Sequence, residues 1–181
     1  MARMILIVGA ALAGAACTGK HSSVTPQNEG DTGSQAVSNP APSKNSLVRM
    51  NDPTAAAQLL NGFYAIENNA WRWTAGHFSV VLFTPPGASQ RGATLTFKFS
   101  VPETATQKFG SVTLTASIDG MTLLSSTYDK PGAYTFTGDV PASMLPTDSV
   151  KIDFALDKSF HAGTDVRELG VIAASVGLSE K

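Results

Sequence analysis

The chain has 181 residues, with 13 lysines and arginines against 14 aspartates and glutamates, and a formal net charge of −1. This length suits one ordinary domain with flanking segments that need not fold. Because the basic residues are scattered, the charge pattern argues against a nucleic-acid-binding surface, and we expect no nucleic acid as a partner. The low content of charged residues, 15% of the chain, favours an exported β-protein over a helical cytosolic one.

The first residues have the pattern of an export signal. Arg3 precedes an apolar run, Met4 to Leu12. That run is too short to span the roughly 30 Å of hydrocarbon in a bilayer, so it predicts a cleaved signal peptide rather than a permanent anchor. Small residues then lead to Cys17, the only cysteine in the chain. We therefore expect residues 1–16 to be removed.

The segment Ala13-Gly14-Ala15-Ala16-Cys17 resembles the lipobox of bacterial lipoproteins. It departs from that pattern at Gly14, where a leucine, valine or isoleucine is usual. The resemblance implies a lipidated Cys17, whose several acyl chains would give stable membrane anchoring. Thr18, which stands where aspartate commonly retains a lipoprotein in the inner membrane, implies an outer-membrane or cell-surface location. The alternative is an ordinary secretory signal cut after Ala15 or Ala16, with Cys17 left as an incidental thiol.

Residues 17–46 have the composition of a tether. They are rich in serine, threonine, glycine, asparagine, glutamine and proline, and Val24 and Val37 are almost their only sizeable apolar residues. Such a segment cannot bury enough apolar surface to offset the entropy lost on ordering. We expect a disordered tether with a reach of roughly 30 Å, followed by one folded domain over residues 47–181.

One short helix is predicted at the start of that domain. Asp52 is a suitable N-cap, and Pro53 suits the first helical position. The following residues, 55–60, favour one or two helical turns, and Asn61-Gly62 is expected to end them.

Beyond this helix the apolar residues recur at every second position, which is typical of half-buried strands. The three clearest segments are Leu95 to Val101, Val112 to Ile118, and Val150 to Leu156. Asp119-Gly120 follows the second of them and predicts a tight hairpin turn. Weaker candidates are Gly62 to Ile66, Trp71 to Thr74, Phe78 to Phe83, Ala133 to Thr137, and Gly170 to Leu178.

Eight or nine short strands separated by turn signals predict an all-β fold in which two antiparallel sheets pack as a β-sandwich. A jelly roll is the leading topology, and an immunoglobulin-like sandwich is the alternative.

Two stretches, Gly62 to Thr74 and Phe160 to Val171, resemble a small jelly-roll domain found beside bacterial glycosyltransferases and in envelope proteins. That domain is similar in outline to galactose-binding-like domains and carbohydrate-binding modules. The resemblance covers about residues 59–179 and implies a glycan or an envelope protein as partner, without a defined activity.

The candidate ligand-binding residues lie in the first stretch: Tyr64, Glu67, Trp71, Arg72 and Trp73. On a strand the two tryptophans share one face and Arg72 points to the other. Exposed indole rings can stack on sugar rings, while buried ones would belong to the core between the sheets. Of the two, we expect Trp71 to be the more exposed.

A second set of charged residues, Asp165, Arg167 and Glu168, forms a candidate structural ion-pair cluster. If the first and last strands are neighbours, a bidentate arginine–carboxylate bridge would join these residues to Glu67. Gly170 is expected to mark a bulge or a close approach of two backbones.

The sequence contains no motif for a catalytic serine, a zinc site or a phosphate-binding loop, so we predict a non-enzyme with no cofactor and no metal. A hydrolase would have to use His77 or His161. A calcium site built from Asp157, Asp165 and Glu168 is an alternative whose spacing matches no defined loop. The leading hypothesis is a non-catalytic carbohydrate-binding lipoprotein; the main alternative is a structural or assembly lipoprotein that binds an envelope protein.

Overall fold

The computed structural model describes residues 45–181. The expected signal peptide, the lipidated Cys17 and nearly all of the expected tether lie outside these residues. The strands within the described part are β1 (Leu47–Arg49), β2 (Leu59–Glu67), β3 (Trp71–Phe83), β4 (Ala93–Val101), β5 (Val112–Ile118), β6 (Met121–Tyr128), β7 (Gly132–Val140), β8 (Ser149–Leu156) and β9 (Ile172–Glu180).

The strand order is that of a jelly roll. One sheet has the order β1-β9-β4-β7 and the other has the order β6-β5-β8-β3, with β2 added beside β3. Every connection other than the β2–β3 and β5–β6 hairpins crosses from one sheet to the other, and all pairings are antiparallel. The predicted all-β sandwich with jelly-roll topology is therefore confirmed.

Alternation of apolar and polar residues places the core between the two sheets. Phe97 of β4 packs 5.7 Å from Phe78 and 5.1 Å from Phe154, measured between ring centroids. Phe78 and Phe154 lie on neighbouring strands of the opposite sheet, where their rings stack at 5.0 Å. All three side chains are at most 2% exposed. The inward positions of the strongly alternating segments thus form the core, as predicted.

The predicted N-terminal helix is shorter than expected and of a different type. Asp52 caps it, accepting a hydrogen bond from the Thr54 backbone N–H at 2.8 Å, but the segment is a 3-10 helix over Pro53–Ala57. Strand β2 begins at Leu59, so Asn61-Gly62 lies inside a strand instead of ending a helix. The cause is tertiary: Gln58 is buried and donates to the carbonyl oxygens of Asn45 and Val81, which fixes the chain against β3.

The prediction of separate strands at Trp71 to Thr74 and Phe78 to Phe83 was wrong, because β3 is continuous through both. Its start pairs with β9 and its second half pairs with β8. Between the two, the Thr74 N–H donates to Val171 and the Thr74 carbonyl accepts from Gly170, at 2.9 and 2.7 Å. These bonds keep the middle of β3 extended, and they connect the two sheets.

The β5–β6 hairpin is confirmed, with positive φ angles of 49° at Asp119 and 78° at Gly120. Two short helices, α1 (Ala88–Arg91) and α2 (Glu103–Phe109), were not predicted. Each lies in a crossing between sheets and ends at a glycine with positive φ. Among residues 45–181, no helix is long and apolar enough to span a membrane.

Candidate functional site

Two segments that are far apart in sequence meet at one end of the sandwich. The first is the β2–β3 hairpin, which turns through Asn68 and Asn69, both with positive φ angles of about 50°. The second is the loop of residues 157–171, which joins β8 to β9 and is closed by the isolated bridge between Phe160 and Leu169. We call the residues that these segments bring together, which are Tyr64, Glu67, Trp71, Trp73, Phe160, Asp165 and Arg167, the hairpin-end cluster.

The two tryptophans lie on the same, outward face of β3, as their spacing predicts. Their rings meet edge to face, with centroids 5.9 Å apart. Trp73 also contacts Phe160 edge to face, at 6.1 Å, and packs against the hydrophobic core. Both tryptophans are partly exposed. The two perpendicular indole rings thus form one surface, and Phe160 and the core hold the Trp73 ring in place.

Arg167 joins the loop to the hairpin. Its guanidinium forms a bidentate pair with Asp165, with an Nη2–Oδ2 distance of 2.7 Å and an Nε–Oδ1 distance of 3.1 Å. Its Nη1 donates to Glu67 Oε1 at 2.8 Å. The same guanidinium lies 5.1 Å from the centroid of the Tyr64 ring, in a cation–π contact. The structure therefore places Arg167 between the two carboxylates that the sequence singled out.

Tyr64 is held at both ends of its side chain. Its ring lies under Arg167, and its hydroxyl donates to the backbone carbonyl of Glu168 at 2.8 Å. Because these contacts join β2 to the loop over residues 157–171, they limit the motion of the surface beside the tryptophans.

Within this cluster, Asp165 and Arg167 shift each other's pKa values. Hydrogen bonds from Arg167, first from its side chain and then from its backbone N–H, hold the pKa of Asp165 below its usual value of 3.8. Hydrogen bonds to Asp165 and Glu67 raise the pKa of Arg167 above its already high usual value. Asp165 is consequently ionised at neutral pH. The carboxyl oxygens of Asp165 and Glu67 keep lone pairs that can accept hydrogen bonds from a ligand.

Two of the candidate residues lie elsewhere. Arg72 points inward and is 8% exposed; its Nε donates to the Met50 carbonyl at 3.1 Å and its Nη1 to the Tyr64 carbonyl at 3.0 Å. Burial lowers the pKa of Arg72, and the side chain joins β2 to the chain after β1 without reaching the ligand-accessible surface. Glu168 accepts a hydrogen bond from the Ser159 hydroxyl at 2.5 Å and is not paired with Arg167.

The predicted close approach of two backbone segments occurs at Gly170. A Cβ built on it would stand 2.7 Å from the Ala75 carbonyl oxygen and 2.5 Å from a methyl carbon of Leu156. The loop also approaches β3 closely at Gly76, where a Cβ would stand 2.5 Å from a carboxylate oxygen of Glu168. The absence of side chains at these two positions lets the loop over residues 157–171 lie directly against β3, which brings Phe160 under Trp73.

The two histidines considered for a hydrolase lie at the surface of the domain. His77 and His161 are both exposed, and within residues 45–181 no hydrogen bond joins either to a carboxylate or a hydroxyl. The same residues contain no group of three or more histidine, cysteine, aspartate or glutamate side chains that could hold a metal ion. Asp157, one of the three oxygen donors considered for calcium, instead accepts from the Thr113 N–H at 2.6 Å.

No protein-family model and no curated protein sequence matches this chain. The solved structures similar to it include carbohydrate-binding modules. One is the CBM36-1 domain of a multidomain xylanase from the hindgut metagenome of Trinervitermes trinervoides, with 11% identity, a TM-score of 0.40, and coverage of 75% of this chain and 96% of that one. Another is the carbohydrate-binding module CBM36 in complex with calcium and xylotriose, with 13% identity, a TM-score of 0.40, and coverage of 74% and 98%.

A third structure contains CBM51-2, in complex with GlcNAc, and INT domains from Clostridium perfringens ZmpB. It shares 12% identity with this chain at a TM-score of 0.37, and the alignment covers 76% of this chain and 28% of that one.

Proposed function

We propose that this protein is a non-catalytic carbohydrate-binding protein, and that sugar binds at the hairpin-end cluster. The observation that carries the proposal is the pair of partly exposed, perpendicular indole rings of Trp71 and Trp73, in one cluster with the carboxyl groups of Glu67 and Asp165. A sugar ring has apolar C–H faces and polar edges, so it needs an aromatic surface and hydrogen-bond acceptors within a few ångströms of each other.

The rigidity of the cluster supports this function. Trp73 rests on Phe160, and Arg167 fixes both carboxylates by four hydrogen bonds to Asp165 and Glu67 through its side chain. Binding a flexible surface would cost the entropy of ordering its side chains, and a pre-ordered one avoids that cost. Asp165 and Glu67 are then positioned to accept hydrogen bonds from sugar hydroxyl groups.

A glycan array with the purified domain tests this proposal, with Trp71→Ala as the site variant and Phe109→Ala as its control. Phe109 is a half-buried aromatic residue of α2. We expect selective binding by the wild-type and control proteins, and a loss of about five- to 150-fold in affinity for Trp71→Ala, since one stacked ring contributes on the order of 1–3 kcal/mol. Equal binding by all three proteins would contradict the site.

We also propose that the protein is exported and anchored to the bacterial outer membrane or cell surface through lipid on Cys17, with residues 1–16 removed. The support is the short apolar run and the lipobox-like segment that ends at the single cysteine. Labelling cells with radioactive palmitate tests it. We expect label on the wild-type protein and none on Cys17→Ser, and a labelled Cys17→Ser protein would rule out this anchor.

A second candidate function, binding of an envelope protein, is favoured by one observation. Val166 is 90% exposed in the same loop that carries Asp165 and Arg167, so its apolar side chain is available for contact with a partner protein. Val166→Asp separates the two functions. We expect the change to leave glycan binding intact, whereas loss of a co-purifying envelope protein in this variant would favour the second function.

A further inference from the structure

The hairpin-end cluster continues across the outer face of the sheet that contains β9, β4 and β7. Trp73 pairs with Ile172 of β9, which pairs with Ser100 of β4, which in turn pairs with Ala133 of β7. Residues directly opposite each other on neighbouring strands point to the same face, so the four side chains form one row that starts at Trp73.

A groove lies at the far end of this row. Its volume is about 230 Å³, and it is lined by Lys98, Phe99, Ser100, Ala133, Tyr134, Thr135 and Ala174. The floor is formed by small side chains, because alanine and serine stand at the outward positions. The groove is further shaped by a shift of register between β4 and β9 after Lys98, which leaves Ala174 as an additional residue on β9.

The length of the row matches an oligosaccharide. Neighbouring strands lie about 4.8 Å apart, so three strand-to-strand steps from Trp73 to Ala133 span about 14 Å. This distance exceeds one sugar ring and suits a short linear chain that crosses the strands. Ile172 offers an apolar surface beneath the middle of such a chain, and Ser100 and Thr135 offer hydroxyl groups at its edges.

The groove is positively charged. Lys98 is exposed on β4, directly beside Ser175 of β9 and Thr135 of β7 in the register of the sheet. Within residues 45–181 its ammonium group forms no ion pair with a carboxylate, and the other residues that line the groove carry no charge. A ligand that lies on this row would therefore meet an uncompensated cation in the neighbouring row, two strands from Trp73.

We infer that the groove is a second subsite for a linear acidic glycan, and that Lys98 pairs with a carboxylate of a uronic acid while a neighbouring sugar stacks on Trp73. This inference rests on the proposed carbohydrate-binding function and adds the chemical class of the ligand. Charge complementarity at Lys98 selects an acidic over a neutral chain, and the length of the row selects a chain over a single sugar.

Isothermal titration calorimetry with trigalacturonic acid, its carboxyl-reduced neutral counterpart and galacturonic acid tests this inference. We expect the acidic trisaccharide to bind most tightly, by about fivefold over the neutral one, as for one solvent-exposed ion pair. Lys98→Met should abolish that preference, and added salt should weaken it. Lys151→Met is the matched control, since it removes the same charge from β8 in the opposite sheet.

A second variant tests the groove itself. Ala133→Trp fills it, and we expect this change to weaken binding of either trisaccharide. If acidic and neutral trisaccharides bind equally in wild type and in Lys98→Met, yet Trp73→Phe weakens both, the acidic subsite is wrong and the carbohydrate-binding function stands. If no glycan of an array and none of the three sugars binds, both proposals are wrong.

Discussion

At the scale of single residues, Arg167 has the largest role in shaping the hairpin-end cluster. Its planar guanidinium has five N–H donors in a fixed fork, which lets it contact Asp165 through Nε and Nη2 and Glu67 through Nη1. A lysine would offer one point charge and could not hold both carboxylates in these positions. The three side chains are each about one-third exposed, so they can be reached from solvent.

The lowered pKa of Asp165 makes the stability of the domain depend on pH. A carboxyl group whose pKa is lower in the folded state stabilises that state above its unfolded pKa of 3.8, and loses this contribution as pH falls through the folded value. We expect thermal unfolding of wild type to show a steeper loss of stability below about pH 4 than Asp165→Asn does. Asp129→Asn, at an exposed site, is the control, and parallel curves for wild type and Asp165→Asn would contradict the assignment.

Some of these residues could be predicted from the sequence and others could not. The shared face of Trp71 and Trp73 follows from the period of a strand, which is a local property. The inward position of Arg72 follows from the same rule, but its partners are backbone carbonyls of Met50 and Tyr64, which no side-chain pattern marks. The position of Lys98 in the row next to that of Trp73 depends on the pairing register of three strands, which the sequence alone does not determine.

At the scale of elements, the long strand β3 and the loop over residues 157–171 form the site together. The loop lies close to β3 because Gly170 and Gly76 have no side chains. The close approach at Gly170 was predicted from the sequence, but β3 was predicted as two separate strands. The hydrogen bonds that keep the middle of β3 extended come from residues almost one hundred positions away. Local propensity does not include such distant partners.

A matched pair of glycine variants tests the packing of this loop. Gly170→Ala should lower the free energy of unfolding by about 2 kcal/mol or more, because its new methyl group would meet the fixed backbone oxygen of Ala75. Gly76→Ala should cost less, since the group it meets is the movable carboxylate of Glu168. Urea unfolding measures both, and equal costs for the two variants would show that the loop can shift.

At the scale of the whole molecule, the core of aromatic side chains holds the two sheets together. Phe97 contacts Phe78 and Phe154 across the sandwich and stacks on Phe99 within its own strand, at 4.9 Å. The inward position of Phe97 could be predicted from the sequence alone, because apolar and polar residues alternate without interruption along β4. From the sequence, the order of the strands could be narrowed only to two sandwich topologies, the jelly roll and the immunoglobulin-like fold. The strand order in the structure is that of the jelly roll.

Phe97→Ala should destabilise the domain by about 3–5 kcal/mol, the usual cost of removing a fully buried aromatic ring. Thr96→Ala, on the outer face of the same strand, is the control and should change stability by less than about 0.5 kcal/mol. Chemical unfolding monitored by circular dichroism gives both values. A small effect of Phe97→Ala would mean that the contact between the sheets is not where the structure places it.

Carbohydrate binding at the tryptophans is the central claim, and intrinsic tryptophan fluorescence tests it most directly. Trp71 and Trp73 are the only two tryptophans in the chain, so all indole emission comes from the hairpin-end cluster. We predict that a glycan identified on the array causes a saturable change in the intensity or wavelength of this emission, with the same dissociation constant as calorimetry gives. Binding detected by calorimetry with no change in indole emission would place the sugar elsewhere and contradict the account.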